Sequence, residues 1–125
     1  MDEVITTADV VSLHVPLNSE TQRLINAERI AKMKKGAIII NTARGGLIDE
    51  EAAARAMVSG QLGGLGLDAF EQEPLLESPL KGLQHVIFTP HTGAHTAEAV
   101  KGMGVMAVDN IIKVLKGERV SALVH

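Results

Sequence analysis

Ala37-Ile38-Ile39-Ile40-Asn41-Thr42-Ala43-Arg44-Gly45-Gly46 is the stretch whose reading decides the fold. Ala37 to Thr42 reads as a strand. Its four apolar residues in a row predict burial on both faces, the habit of a parallel sheet. Parallel strands need crossover connections, so helices are expected on either side. Upstream, Asn26 caps a helix over Ala27–Met33, which Gly36 stops. Before it, Val10-Val11-Ser12-Leu13-His14-Val15 is a short β-branched strand ended by Pro16. Ser19 and Gln22 have the spacing of a capping box for a short helical turn between the two.

Downstream, Asp49 caps an Ala-rich helix that runs to about Ser59, with Gly60 as its stop. Leu62 to Phe70 is a third strand. Its glycines weaken it and allow close backbone approach. Val86 to Thr89 is a fourth, closed by Pro90. From about Thr96 to Lys116, Val100, Gly104, Ala107, Val108, Ile111 and Leu115 recur at three- and four-residue steps, the mark of an amphipathic helix ended by Gly117. The order β, α, β, α, β, β, α implies right-handed crossovers and an α/β fold: a partial doubly wound parallel sheet with flanking helices.

Composition agrees. With 125 residues, 46% of them hydrophobic, two Phe, no Tyr and no Trp, the core must be aliphatic. That suits a helix-covered parallel sheet better than a sandwich or small barrel. The net charge of −3 has no clustered basic face behind it, which argues against a nucleic-acid partner. Lys32, Lys34 and Lys35 read as a solvated helix end. Without cysteine there is no disulfide scaffold, thiolate metal site or thiol nucleophile, and the histidines lack metal-site spacing, so no metal is expected. The acidic start is unlike a signal peptide and no apolar run reaches the roughly 20 residues of a membrane span. The expectation is a soluble, cytoplasmic protein without a membrane partner.

In open α/β sheets ligands bind outside the carboxyl ends of the strands. The residues found there are His14-Val15-Pro16, Thr42-Ala43-Arg44, Asp68 through Glu73, and Pro90-His91. Arg44, on a glycine turn, can present its planar fork to a carboxylate, or pair at the surface with Asp49 or Glu50. Glu73, held by Pro74, can serve as a partner carboxylate or be one more solvated loop acid. His91 suits proton transfer near neutral pH, or is a loop histidine without a role.

Four blocks break the tie: Ala8-Asp9-Val10-Val11-Ser12-Leu13-His14-Val15-Pro16-Leu17, the stretch from Met33 to Gly46, Leu67-Asp68-Ala69-Phe70-Glu71-Gln72-Glu73-Pro74, and Thr89-Pro90-His91-Thr92-Gly93-Ala94. In this order they resemble the signature blocks of the D-isomer-specific 2-hydroxyacid dehydrogenases, which include phosphoglycerate, glyoxylate, glycerate and D-lactate dehydrogenases. The chain is similar to the C-terminal part of their NAD-binding domain. The resemblance implies an oxidoreductase in which hydride passes between nicotinamide and a D-2-hydroxy or 2-oxo acid. Arg44 would bind the substrate carboxylate, His91 would be the general acid/base, and Glu73 would be its hydrogen-bond partner. Asp68 would contact the nicotinamide carboxamide. Val15, Thr42 and Ala43 would line the NAD cleft, with Gly93 and Ala94 at its nicotinamide end and Arg44 and His91 facing it. Formate dehydrogenase, a relative with Gln at the place of Glu73, fits less well.

The family's Gly-x-Gly-x-x-Gly phosphate loop and the acidic residue that reads the adenosine ribose are not in this sequence. The expectation is one partial NAD-binding domain over 1–125, lacking the first βαβ half and the substrate domain. It would choose NAD or NADP through a residue not here, and it would be weak or inactive alone. The exposed sheet edge makes a homodimer the expected assembly. A corepressor-like, NAD-sensing binding protein and a remnant without function are the alternatives that the same residues allow. His95, where the family has Ser, is expected to cap the last helix poorly, leaving Thr96 or Thr92 to do so.

Overall fold

The computed structural model describes residues 1–120, and the chain divides into two compact units, Met1–Thr92 and the segment from Gly93 onward. The first unit holds helix α1 (Asp2–Thr7), strand β1 (Val10–Leu13), helix α2 (Ala27–Lys32), strand β2 (Ala37–Asn41), a 3-10 turn (Gly45–Leu47), helix α3 (Glu50–Ser59) and strands β3 (Leu62–Leu67) and β4 (Val86–Phe88). The four strands form one parallel sheet in the order β1-β2-β3-β4. Val10 lies opposite Ile38, Ile39 opposite Leu65 and Leu67 opposite Phe88.

The expected caps are in place. Asn26 accepts from the Arg29 N–H and Asp49 from the Ala52 N–H, while Gly60 ends α3 in the left-handed region. The capping box at Ser19 does not form; Asn18 organises that turn, its Oδ1 accepting from the Glu20 and Thr21 N–H groups. Helix α1 was not expected: six residues are too few to show a period, and only Ile5 of them is buried. In β3, Gly63 does meet a neighbouring backbone, since a Cβ there would lie 2.4 Å from the Gly36 carbonyl oxygen.

The core lies on one side of the sheet. Val11, Leu13, Ile39, Leu62, Leu65 and Leu67 pack with Ile5, Ile30, Met33 and the alanines of α3. Burial on both faces, expected from the apolar run in β2, is not what the structure shows. The run alternates: Ala37, Ile39 and Asn41 are buried, whereas Ile38 and Ile40 are 39% and 36% exposed. Val10 and Ile87 are likewise exposed. An apolar run states only that a strand is apolar; what covers each face depends on which helices the chain supplies.

The second unit is described by itself. Helix α4 (Ala97–Leu115) is capped by Thr96, whose Oγ1 accepts from the Ala99 N–H, so one of the two expected substitutes serves in place of His95. None of its residues is buried.

Because all four strands run the same way, their carboxyl ends collect along one edge of the sheet. The loops that leave that edge carry every candidate residue of the first unit.

Candidate active site

Arg44 is placed by what surrounds its backbone. Asn41, fully buried, closes the turn ahead of it: its Oδ1 accepts from the Ala43 N–H at 3.1 Å and its Nδ2 donates to the Arg44 carbonyl at 2.8 Å. Gly45 follows against the next loop, where a Cβ would stand 1.8 Å from the Phe70 carbonyl carbon and 2.2 Å from the Glu71 nitrogen. Only glycine lets the two backbones meet. The guanidinium is exposed, its Nη1 donating to the Ala43 carbonyl at 2.7 Å. Surface pairing with Asp49 or Glu50 is not what the arginine does. Asp49 caps α3 and faces Arg23 at 3.8 Å. Glu50 accepts from the Ser78 hydroxyl at 2.7 Å and the Glu71 N–H at 3.4 Å.

Those last two bonds pin the loop that carries Glu73. The Glu73 Oε1 accepts from the Phe70 N–H at 3.1 Å, and the carboxylate receives the Nδ1 of His91 at 2.8 Å on Oε2 and 3.0 Å on Oε1. A carboxylate only accepts, so Nδ1 carries the hydrogen and Nε2 is the nitrogen turned to other work. The Glu73 carboxyl is held below its ordinary range, chiefly by the hydrogen bond from His91 and then by that from the Phe70 N–H. Partial burial opposes the lowering, whereas the charges of His91 and Arg44 reinforce it. Arg44, Glu73 and His91 thus share one electrostatic neighbourhood, though they come from three loops.

His91 sits in the left-handed region, at φ +53°. That conformation costs a non-glycine residue about 1 kcal/mol and persists only where neighbours impose it. Asp68 does so: its Oδ1 accepts from the Thr89 hydroxyl at 2.5 Å and the Thr92 N–H at 2.9 Å, one on each side of the histidine. The His91 N–H closes onto the Thr89 carbonyl at 2.9 Å. Beside the His91–Glu73 pair opens a cavity of about 600 Å³, walled by Phe70 and Phe88, whose rings are 5.9 Å apart, with Leu75 and Pro90.

Val15, Thr42 and Ala43 follow β1 and β2 at the same edge, the first two exposed and Ala43 half-buried. Asp68 is 5% exposed. Gly93 and Ala94 are exposed and belong to the second unit, in the turn before α4. Among the described residues no cluster of His, Asp or Glu could hold a metal ion, and no helix is long and apolar enough to cross a membrane.

Sequence reasoning missed Asn41, Glu50, Thr89 and Thr92, which touch the candidate residues rather than being among them. Asn41 carried a partial signal, a polar residue closing an otherwise apolar strand, but that it faces inward was visible only in the structure. Glu50 carried none, because its partners are 21 and 28 positions away.

Comparison with known proteins gives a consistent answer. Residues 1–93 match the family model of the D-isomer specific 2-hydroxyacid dehydrogenase, NAD binding domain. The chain is 48% identical over 126 residues to a glyoxylate reductase of Thermofilum pendens, covering 100% of this chain and 37% of that protein. It is 47% identical over 125 residues to a D-3-phosphoglycerate dehydrogenase of Methanocaldococcus jannaschii, covering all of this chain and 24% of that one. The crystal structure of a D-lactate dehydrogenase from Aquifex aeolicus complexed with NAD and lactic acid superposes with a TM-score of 0.87 at 37% identity, over 94% of this chain and 40% of that one. The chain therefore spans well under half the length of the relatives it matches.

Proposed function

The chain belongs to the D-isomer specific 2-hydroxyacid dehydrogenase family, matching part of its NAD-binding domain, and on that premise we propose that it supplies the nicotinamide side and the proton-transfer pair of a site that interconverts a 2-oxo acid and a D-2-hydroxy acid. The observation that carries this reading is the His91–Glu73 pair at 2.8 Å, on the sheet edge that also bears Arg44.

NAD, when bound, supplies the hydride donor or acceptor; Val15, Thr42 and Ala43 would line its cleft, with Asp68 toward the nicotinamide end. The Arg44 fork binds the substrate carboxylate through paired N–H donors, which also orients the 2-oxo group. His91 delivers a proton from Nε2 to the carbonyl oxygen as that oxygen gains negative charge, and takes it back in the reverse direction. Glu73 holds Nδ1, fixing the ring's tautomer and orientation so that Nε2 faces the substrate. A cation and a proton donor thus converge on the atom where charge develops. The isolated chain, with no glycine-rich phosphate loop, is weak or inactive alone. A homodimer belongs to the same proposal: β1 ends the sheet, and Val10, Ile38 and Ile40 leave apolar surface open.

The test is a chimera in which this chain replaces the matching segment of the Thermofilum pendens glyoxylate reductase. It should oxidise NADH with glyoxylate. His91→Gln should lower kcat by about 100- to 10,000-fold, and Arg44→Lys should act mainly by raising KM. A folded, NADH-binding chimera whose His91→Gln form is as active as its parent would sink the reading.

A further inference from the structure

Asn41 has no place in the chemistry just described, yet it is the most deeply buried polar side chain of the first unit, at 0% exposure. It occupies the inward phase of β2, after Ala37 and Ile39. A buried carboxamide without partners costs about 1–3 kcal/mol, so its presence at the end of an apolar strand calls for a reason. Its two bonds bracket the Ala43–Arg44 dipeptide, taking the Ala43 N–H at one end and the Arg44 carbonyl at the other. Beyond the bracket, Gly45 lies so close to the Phe70–Glu71 backbone that a Cβ would overlap it. The Arg44 α-carbon is thus held from both sides, while its guanidinium is exposed and meets only the Ala43 carbonyl among the bonds of the described residues. For a long exposed side chain, the direction of the root sets the volume the head can sample. Few side chains could replace Asn41: Asp lacks the donor, and Leu lacks both groups.

We infer that Asn41 is a positioning residue for Arg44, its carboxamide fixing the turn from which the guanidinium reaches the substrate carboxylate. The inference rests on reading Arg44 as the carboxylate-binding residue, and the experiment separates the two.

Asn41→Leu and the milder Asn41→Ser are made in the full chain and followed by nuclear magnetic resonance. Amide exchange at Ala43 should become about tenfold faster, as expected once one hydrogen bond no longer holds it closed. The Arg44 Nε–Hε signal should shift or broaden, while the sheet amides of Ile39 and Leu65 keep their protection. Unchanged exchange at Ala43 overturns the inference. So does an unmoved Arg44 signal beside a faster Ala43, and so does acceleration throughout the sheet or unfolding of both variants, which would make Asn41 merely structural. Oxamate, a 2-oxo acid mimic, is titrated with NADH present against the glyoxylate reductase chimera and its Arg44→Ala form. Saturable binding that Arg44→Ala retains in full would remove the carboxylate role of Arg44 and leave the positioning result to stand on the other signals.

Discussion

At Gly45 a single hydrogen atom in place of a methyl group decides whether two loops can meet. A Cβ there would overlap backbone atoms of Phe70 and Glu71 at 1.8 and 2.2 Å, and backbone on both sides cannot yield as a side-chain end would. Gly45→Ala is therefore expected to cost about 1–3 kcal/mol, the range for overpacking, with most of the strain falling between the Arg44 and Glu73 loops. At Gly64 the nearest atoms to an added Cβ are 3.5 and 3.6 Å away, an ordinary contact, so Gly64→Ala should be neutral or slightly stabilising. Urea midpoints of the two variants check the contrast; equal destabilisation would refute it. Glu73 makes a second prediction. Its folded-state carboxyl titrates below the ordinary value of 4.5, so its contribution is present above about pH 4.5 and is lost as pH falls through the lowered value. Both partners of the pair are well exposed, at 44% and 38%, which limits the contribution to about 0.2–1 kcal/mol. Glu73→Gln should lower the urea midpoint at pH 7 by a corresponding amount, and the loss should shrink as pH falls below 4.5 toward the acid limit. An equal loss at both ends of that range would show that packing, not charge, was removed.

At the scale of elements, β2 is where reading and structure part. Its place in a parallel sheet was legible from apolar run and β-branching, but its phase was not, because three consecutive isoleucines look alike from either face. The structure sets Ile39 at 0% exposure between Ile38 and Ile40 on the open side. Ile39→Ala should then cost about 2–5 kcal/mol, whereas Ile38→Thr should cost under about 1 kcal/mol. Comparable losses from both would mean that a second copy or another layer covers the open face in solution. The same logic separates what else could be read. The strand ends bearing Arg44, Glu73 and His91 were legible, since strands, turns and caps are written in neighbouring residues. Asn18 organising the turn assigned to Ser19, Glu50 reaching Ser78, and Asp68 clamping Thr89 and Thr92 around a left-handed His91 were not. Each depends on how loops far apart in sequence are brought together, and local spacing carries no record of that.

At the scale of the whole chain the question is how tightly the strand-end residues proposed for the cofactor hold a dinucleotide by themselves. The candidate residues of the first unit lie at one sheet edge, but this sequence has no Gly-x-Gly-x-x-Gly turn to hold a pyrophosphate, and helix N-termini with such turns normally supply much of the grip on a dinucleotide. A ligand that binds only the folded chain stabilises it by RT ln(1 + [L]/Kd). With about 1 mM NADH, a Kd near 10 μM would add about 2.7 kcal/mol, whereas a Kd of 1 mM or weaker adds at most about 0.4 kcal/mol. For a domain of this size 1 kcal/mol moves the melting temperature by about 3–6 °C. The purified chain is therefore expected to shift by no more than about 1–3 °C and to show no NADH oxidation with glyoxylate or hydroxypyruvate. A shift near 10 °C that grows with protein concentration would instead mean that two copies together complete the cleft. A large shift independent of protein concentration would mean that the strand ends carrying Val15, Thr42 and Asp68 hold the nicotinamide half by themselves, without a glycine-rich phosphate loop.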